Sequence, residues 1–335
     1  MSFEPTADTM RERANESRLK LWLLLGANRL IVTGLLVLFI FLNYLALSVL
    51  YGTPLSAAIG TGDTIETMFS TMISGIITGT TLVVTISQLV IAQETGPLGD
   101  QHRRMSDALD FRDYTEEFTG TTTPADPSAF LKTILDTTTE RAYAFRDAVD
   151  DTPNSELTAD VETFTDSLIE NAKTVSEQLD GAQFGTFDVL FASLNYNYSK
   201  KLFEVDRLEN EYADSLSDNA AETLTELDTA LAMFGPVREH VKTLYFQWEL
   251  MNLSRLILYA AVPTLVLSGF MLSFAGPSSF PGYFLGIERL LWVVGIAFTI
   301  TLTPFLLLVA YLLRIATVAQ RTLAIGPLIL RSSER

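Results

Sequence analysis

Four long apolar stretches, 30–51, 68–92, 253–274 and 290–313, interrupt an otherwise polar chain. A helix rises about 1.5 Å per residue, so roughly 20 apolar residues cross a ~30 Å hydrocarbon layer. Each stretch meets that length. A shorter apolar lead-in from Leu21 to Ala27, carrying Trp22, precedes the first. That first stretch is too long for a cleaved signal peptide and no convincing small-residue cleavage pattern follows it, so a retained signal anchor is expected. Asn43, Pro263 and Pro304 stand singly within the stretches, and each is expected to make a kink or a packing hydrogen bond.

Between the second and third stretches the periodicity is helical, with no strand-like alternation. Thr123-Pro124 reads as an N-cap and first-turn proline opening a helix with Leu131, Leu135, Ala142, Phe145 and Val149 on one face. Leu157, Val161, Phe164, Leu168, Val175 and Leu179 continue at 3/4 spacing until Asp180-Gly181, a C-cap signal. The longest stripe is predicted from Phe187 through Leu190, Leu194, Leu202, Val205, Leu208 and Tyr212 to Leu216. Leu224, Leu227, Leu231 and Phe234 follow, and Gly235-Pro236 is expected to punctuate. From Val237 nothing breaks the pattern, so one helix should run into the third apolar stretch. The predicted class is an all-α membrane protein of four transmembrane helices, with a helical-bundle or coiled-coil insert between helices 2 and 3. The divisions are 1–29 (tail and interfacial helix), 30–92 (helices 1 and 2), 93–250 (acidic insert), 251–315 (helices 3 and 4) and 316–335 (tail).

Charge sharpens this division. The 335-residue chain carries −17 overall. Segment 93–250 alone holds 32 acidic against 12 basic residues, a net of −20. Lys and Arg cluster at Arg11, Arg13, Arg18 and Lys20, at Arg103 and Arg104, at Arg238 and Lys242, and at Arg314 and Arg321, whereas loops 52–67 and 275–288 have none. The positive-inside rule then puts both termini and the insert in the cytoplasm of a cell-membrane protein. Arg29, Arg255, Glu288, Arg289 and Arg314 fall at span edges, where snorkelling is expected. Only six of the 23 basic residues are lysine. Abundant carboxylates with scarce lysine suit a halophilic, archaeal source, in which salt screens self-repulsion.

The second stretch carries the candidate chemistry. At 100° per residue, Asp63, Thr67, Ser70, Thr71, Ser74, Thr78, Thr81, Thr85 and Gln88 fall within about 60° of one line. Met68, Phe69, Met72, Ile76, Val83, Ile86 and Val90 occupy the opposite face, with Leu82 and Leu89 at the stripe's edge. Two readings compete. The hydroxyls could bond their own i−4 carbonyls, while Gly75 and Gly79 form a GxxxG packing seam. Alternatively the stripe lines a wetted path, with hydroxyls replacing part of an ion's hydration. Spans 1, 3 and 4 have no such stripe, and no ionisable residue lies mid-span, which argues against a proton-coupled pump.

After this span, Gly96, Pro97 and Gly99 are expected to force a tight turn, with Asp100 capping the next helix. Glu94 and Arg103 would set the potential of an inner vestibule, or the segment is a plain membrane-exit turn. Catalytic chemistry is not expected. There is no Cys, the histidines are His102 and His240 alone, and no P-loop, GxGxxG, GxSxG or HExxH occurs. Acidic groups such as Asp147, Asp150 and Asp151, or Glu209, Glu211 and Asp214, read as solvated surface. No enzyme activity, cofactor, metal or nucleic-acid partner is expected. The partners expected are the lipid bilayer, further copies in a symmetric homo-oligomer, and inorganic ions. The alternative is a membrane-anchored structural or signalling scaffold with helix 2 as its oligomerisation seam.

Overall fold

A computed structural model describes residues 17–60, 63–150, 152–183 and 186–322. Of the residues named above, Arg11, Arg13 and Asp151 lie outside the described residues, as do the side chains of Arg18, Glu94 and Arg321. The protein is helical almost throughout. In chain order the elements are α1 (Arg18–Leu21), a π-helical turn (Trp22–Gly26), α2 (Arg29–Tyr51), α3 (Leu55–Ile59), α4 (Thr64–Glu94), α5 (Leu98–Thr119), α6 (Pro127–Val149), α7 (Ser155–Leu179), α8 (Phe187–Leu194), α9 (Tyr198–Glu211), α10 (Asp218–Phe274), β1 (Tyr283–Phe284), β2 (Ile287–Glu288), α11 (Arg289–Thr301) and α12 (Thr303–Thr322). Two compact units emerge. An apolar unit joins Trp22–Thr95 to Gln247–Ala319, and an acidic unit is built on Gly96–Phe246.

In the apolar unit, four described helices are long and apolar enough to cross a membrane: α2, α4, α10 and α12. Asn28 caps α2, its Oδ1 accepting from Leu30 N at 2.8 Å, and Gly52 ends it at φ 76°. Helices α2 and α11 approach closely because residue 295 is glycine. A Cβ there would lie 3.1 Å from the Tyr44 ring and 3.4 Å from Phe41. Ile59, Ile65, Phe69, Met271, Leu290, Val294 and Ala297 form one core cluster, and Val83, Leu253, Ile257, Leu307 and Tyr311 form another.

The fourth apolar stretch is not a single helix. It breaks at Leu302, because Pro304 has no N–H to continue the ladder. Leu302 N keeps the ordinary bond to Phe298 O and also reaches Ile300 O, the carbonyl that Pro304 cannot serve, and the Thr301 hydroxyl at the end of α11 pairs with Ser268 of α10 at 3.2 Å. Pro263 causes no comparable break in α10, and Asn43 bonds Phe39 O of its own helix at 2.8 Å.

Arg29 and Arg314 do not snorkel. They are 3% and 8% exposed. The Arg29 guanidinium donates to the carbonyls of Leu23, Leu24, Ala27 and Ala310, and Arg314 donates to Ala27 O and, at 3.5 Å, to Glu249. Apart from Ala310, which belongs to α12, these carbonyls lie in or just after the π-helical turn, at its C-terminal end, where cations are favourable. The loop before α11 holds a β1–β2 hairpin that the hydrophobic pattern did not announce. Its turn places Leu285 and Gly286 at φ 51° and 76°.

In the acidic unit, α6 and α7 pack face to face through the predicted stripes. Leu131, Leu135, Phe145 and Val149 meet Leu157, Leu168 and Val175, all completely buried. Each such side chain contributes roughly 1.5–3 kcal/mol relative to exposure. Helix α6 starts at Pro127, later than expected. Asp126 is its cap, accepting from Ser128 N and Ala129 N. Thr123 is engaged elsewhere: its N–H and hydroxyl both donate to Glu116 Oε1, while Arg112 holds its carbonyl.

The stripe from Phe187 to Leu216 is divided between α8 and α9 by Asn195–Asn197, with Asn171 Nδ2 donating to Asn195 O. Gly235-Pro236 does not punctuate either. Helix α10 runs through both, and Gly235 lies against the Tyr198 ring, which a Cβ would approach to 3.1 Å. Beside it, Arg238 is buried, with its guanidinium 4.5 Å from the Tyr198 ring centre and 3.3 Å from Glu239. Burial lowers its pKa, against the opposing pull of Tyr198 and Glu239.

Candidate functional site

Helix α4 is continuous over Thr64–Glu94, and its two faces are sharply unlike. Asp63, Thr67, Ser70, Thr71, Ser74, Thr78, Thr81, Thr85 and Gln88 are all exposed. The opposite face supplies Phe69, fully buried, and Val83, 5% exposed, with Met68 and Met72 packed against the first of these. Ile86 departs from the expected pattern at 49% exposure. Ser87 takes its place, paired with the Ser254 hydroxyl of α10. The apolar face thus holds α4 to its own chain and leaves the hydroxyl face uncovered.

Four stripe hydroxyls bond their own helix. Thr71 donates to Thr67 O (2.8 Å), Ser74 to Ser70 O (3.3 Å), Thr81 to Ile77 O (2.9 Å) and Thr85 to Thr81 O (2.9 Å). Each keeps oxygen lone pairs with which to accept from water or solvate a cation. The carboxylates of Asp63 and Glu66 stand at one end, and the described stripe carries no charge from Thr67 to Gln88.

Among the described residues, neither Gly75 nor Gly79 makes a close helix contact. Nothing lies within 4 Å of a Cβ built on either. They line a 230 Å³ groove with Thr80, Val83 and Ile257, closed by Thr301, Leu302 and Pro304 at the helix break. The Thr80 hydroxyl is buried there without a hydrogen-bond partner. The close-packing glycine of this unit is Gly295, outside any GxxxG spacing. Only the aromatic side chains opposite it mark its role.

The turn after α4 is simpler than expected. Thr95 ends α4, Pro97 occupies the N-cap position of α5, and Gly99 is already helical. Neither Gly96 nor Gly99 has a positive φ. Asp100 does not cap the helix. It lies in the first turn, where a carboxylate favours the dipole, and forms an exposed 3.7 Å ion pair with Arg103. Gln101 Nε2 bonds Gly96 O at 3.1 Å. Among the described residues, no group of three or more His, Asp or Glu side chains could hold a metal ion.

An all-helical chain with four membrane-length apolar helices and one hydroxyl-lined exposed face is the class defined so far. The chain belongs to the family described as "Family of unknown function (DUF7972)", which it matches over residues 2–335. No curated protein and no solved structure matches it.

Proposed function

We propose that the chain is a multi-pass cell-membrane protein that assembles as a symmetric homo-oligomer around α4 and conducts ions or small solutes. In this reading α2, α4, the apolar half of α10, and α11 with α12 cross the bilayer, and both termini and segment 93–250 are cytoplasmic. The observation that carries it is the uncovered hydroxyl face of α4. A membrane-long polar stripe facing lipid leaves its polar atoms without water, and one stripe per subunit encloses nothing alone. Copies arranged about an axis would solve both problems. Asp63, Glu66 and the net −20 of segment 93–250 favour cations at the mouths. Scarce lysine and abundant acid fit a halophilic setting.

One observation favours a second reading, a scaffold in which α4 is an oligomerisation seam. The bonded hydroxyls and the uncovered Gly75 and Gly79 also suit direct helix packing. Replacing Thr81 with Phe separates the two. In a narrow lumen a large apolar ring expels water, so liposome flux should fall at least tenfold while the oligomer's mass is kept. In a seam the same ring overfills the contact and the oligomer dissociates. Wild-type liposomes without flux under changes of salt, voltage, pH or tension would leave the scaffold reading standing.

A further inference from the structure

The loop preceding α11 has the form of a binding site. Phe280 and Leu285 are the described non-glycine residues with positive φ, at 56° and 51°. Apolar L-residues avoid this region, and where they persist the direction of the side chain matters. Here the direction is outward: Tyr283, Phe284 and Leu285 are 64%, 57% and 78% exposed. The backbone meanwhile satisfies itself, through the β1–β2 pairing and through Arg289 N donating to Gly282 O at 2.9 Å. An apolar tip with a paired main chain can enter the headgroup boundary of a bilayer.

Behind the tip is a 360 Å³ groove walled by Phe280, Pro281, Phe284, Trp292 and Val293, with Arg289 within it. Trp292 is fixed there, its Nε1 donating to Phe284 O at 3.2 Å and its ring packed on Phe41 and Phe284, each 5.9 Å away. The Arg289 guanidinium lies along the loop beside Gly282, whose φ of 98° is one that glycine adopts readily. The neighbouring carboxylate is occupied: Glu288 Oε2 accepts from Ser56 N at the start of α3. Among the described residues Arg289 enters no ion pair, and loop 275–288 contains no other cation. An exposed guanidinium with aromatic walls and no carboxylate is complementary to a phosphate attached to an apolar body.

We propose that this groove binds the headgroup phosphate of an anionic phospholipid, paired to Arg289, with Phe284 and Leu285 entering the acyl boundary of the same leaflet. The site rests on the membrane reading above and is independent of the pore.

The full-length Trp22→Phe/Trp248→Phe protein leaves Trp292 as the sole indole. It is reconstituted in phosphatidylcholine vesicles containing increasing fractions of either brominated phosphatidylglycerol or brominated phosphatidylcholine. Brominated phosphatidylglycerol should quench Trp292 with about fivefold higher apparent affinity, the factor expected for one cation at an anionic headgroup. Arg289→Gln should bring that ratio to about one, and Arg289→Lys should retain most of it. Equal quenching by the two lipids in the parent, or an unchanged ratio in Arg289→Gln, overturns the site. Sodium phosphate, exchanged for sodium chloride at equal ionic strength, should change nothing. Protection of Trp292 by it would reassign the groove to a soluble phosphate and so overturn the lipid. Protein that stays with the vesicles through alkaline carbonate but shows no lipid preference defeats this site and spares the membrane reading, whereas protein stripped by carbonate defeats both.

Discussion

The two units have opposite surfaces. In the acidic unit, Leu131, Phe145, Leu168 and Leu208 are fully buried, and most carboxylates face outward, Glu204 being a buried exception. In the apolar unit many large apolar side chains are outside: Phe39 is 64% exposed, Leu50 83%, Leu89 63% and Val266 70%. Besides an apolar core around Phe69 and Val294, that unit buries polar groups, including Arg29, Arg314, Ser268, Thr299 and Thr301. A water-facing surface cannot be built mainly from Phe, Leu and Val without aggregating. On the membrane reading proposed above, the contrast means that the two units of one chain are fitted to different solvents. It also recasts α4, whose stripe is the polar exception on an apolar exterior.

Identical substitutions in the two units give the largest effect and the most direct way to break the comparison. Phe145→Ala removes a ring with no exposure, and should cost about 3–5 kcal/mol, enough to melt the acidic unit near ambient temperature. Phe39→Ala removes the same ring from an exposed face of α2. It should change unfolding in lipid by less than about 0.5 kcal/mol. Thermal unfolding of the reconstituted full chain, read by circular dichroism, checks both. Comparable losses would mean that Phe39 is covered by protein and that the exposed apolar face is not a lipid surface.

A second substitution tests the polar interior of the apolar unit. Glu249 is the carboxylate paired with Arg314, their side chains 13% and 9% exposed, beside the buried Arg29. Glu249→Ala leaves two buried guanidiniums sharing Ala27 O, so a loss of about 3 kcal/mol is expected. Glu249→Gln keeps an acceptor and should lose less. The midpoint of detergent-induced unfolding measures the difference. Equal and negligible losses would show that water reaches this cluster.

Much of this contrast was legible in the sequence, because a period of 3.6 residues and a length of about 20 both report which solvent a face meets. The α4 stripe was readable for that reason, and its exposure matches the angle at which its residues recur. What escaped depends on contacts between residues distant in sequence. Gly235-Pro236 looks like a breaker, but Gly235 accommodates the Tyr198 ring and α10 continues. Gly295 makes a close helix contact that no GxxxG spacing announces, because Tyr44 lies opposite. Arg29 and Arg314 look like interfacial cations, and only the fold brings them to the carbonyls that end the π-helical turn. The hairpin was invisible because its turn uses Leu285 where Asn or Gly would announce it.

The smallest effect concerns the charged exterior of the acidic unit. Burial first, then repulsion from Asp206 and Glu209, raises the pKa of Asp228, and burial raises that of Asp136 against the pull of Lys132. Asp126 is the opposite case, lowered by the Ser128 hydroxyl and the Ala129 and Ser128 N–H groups. A raised carboxylate contributes stability that is present below its ordinary pKa and lost as pH rises through the folded value. A lowered one contributes stability that is present above its ordinary pKa and lost as pH falls through the folded value. At neutral pH, then, ionised Asp228 opposes folding while Asp126 supports it. Asp228→Asn should raise the melting temperature by about 1–2 °C at pH 7, and the gap should close as the solution is taken below pH ~4. Molar salt should narrow the gap at pH 7 without closing it, since salt screens Asp206 and Glu209 but leaves the burial of Asp228 unchanged. A gap at pH 7 that salt erases entirely would make repulsion the larger cause and the acidic surface a simple screened layer.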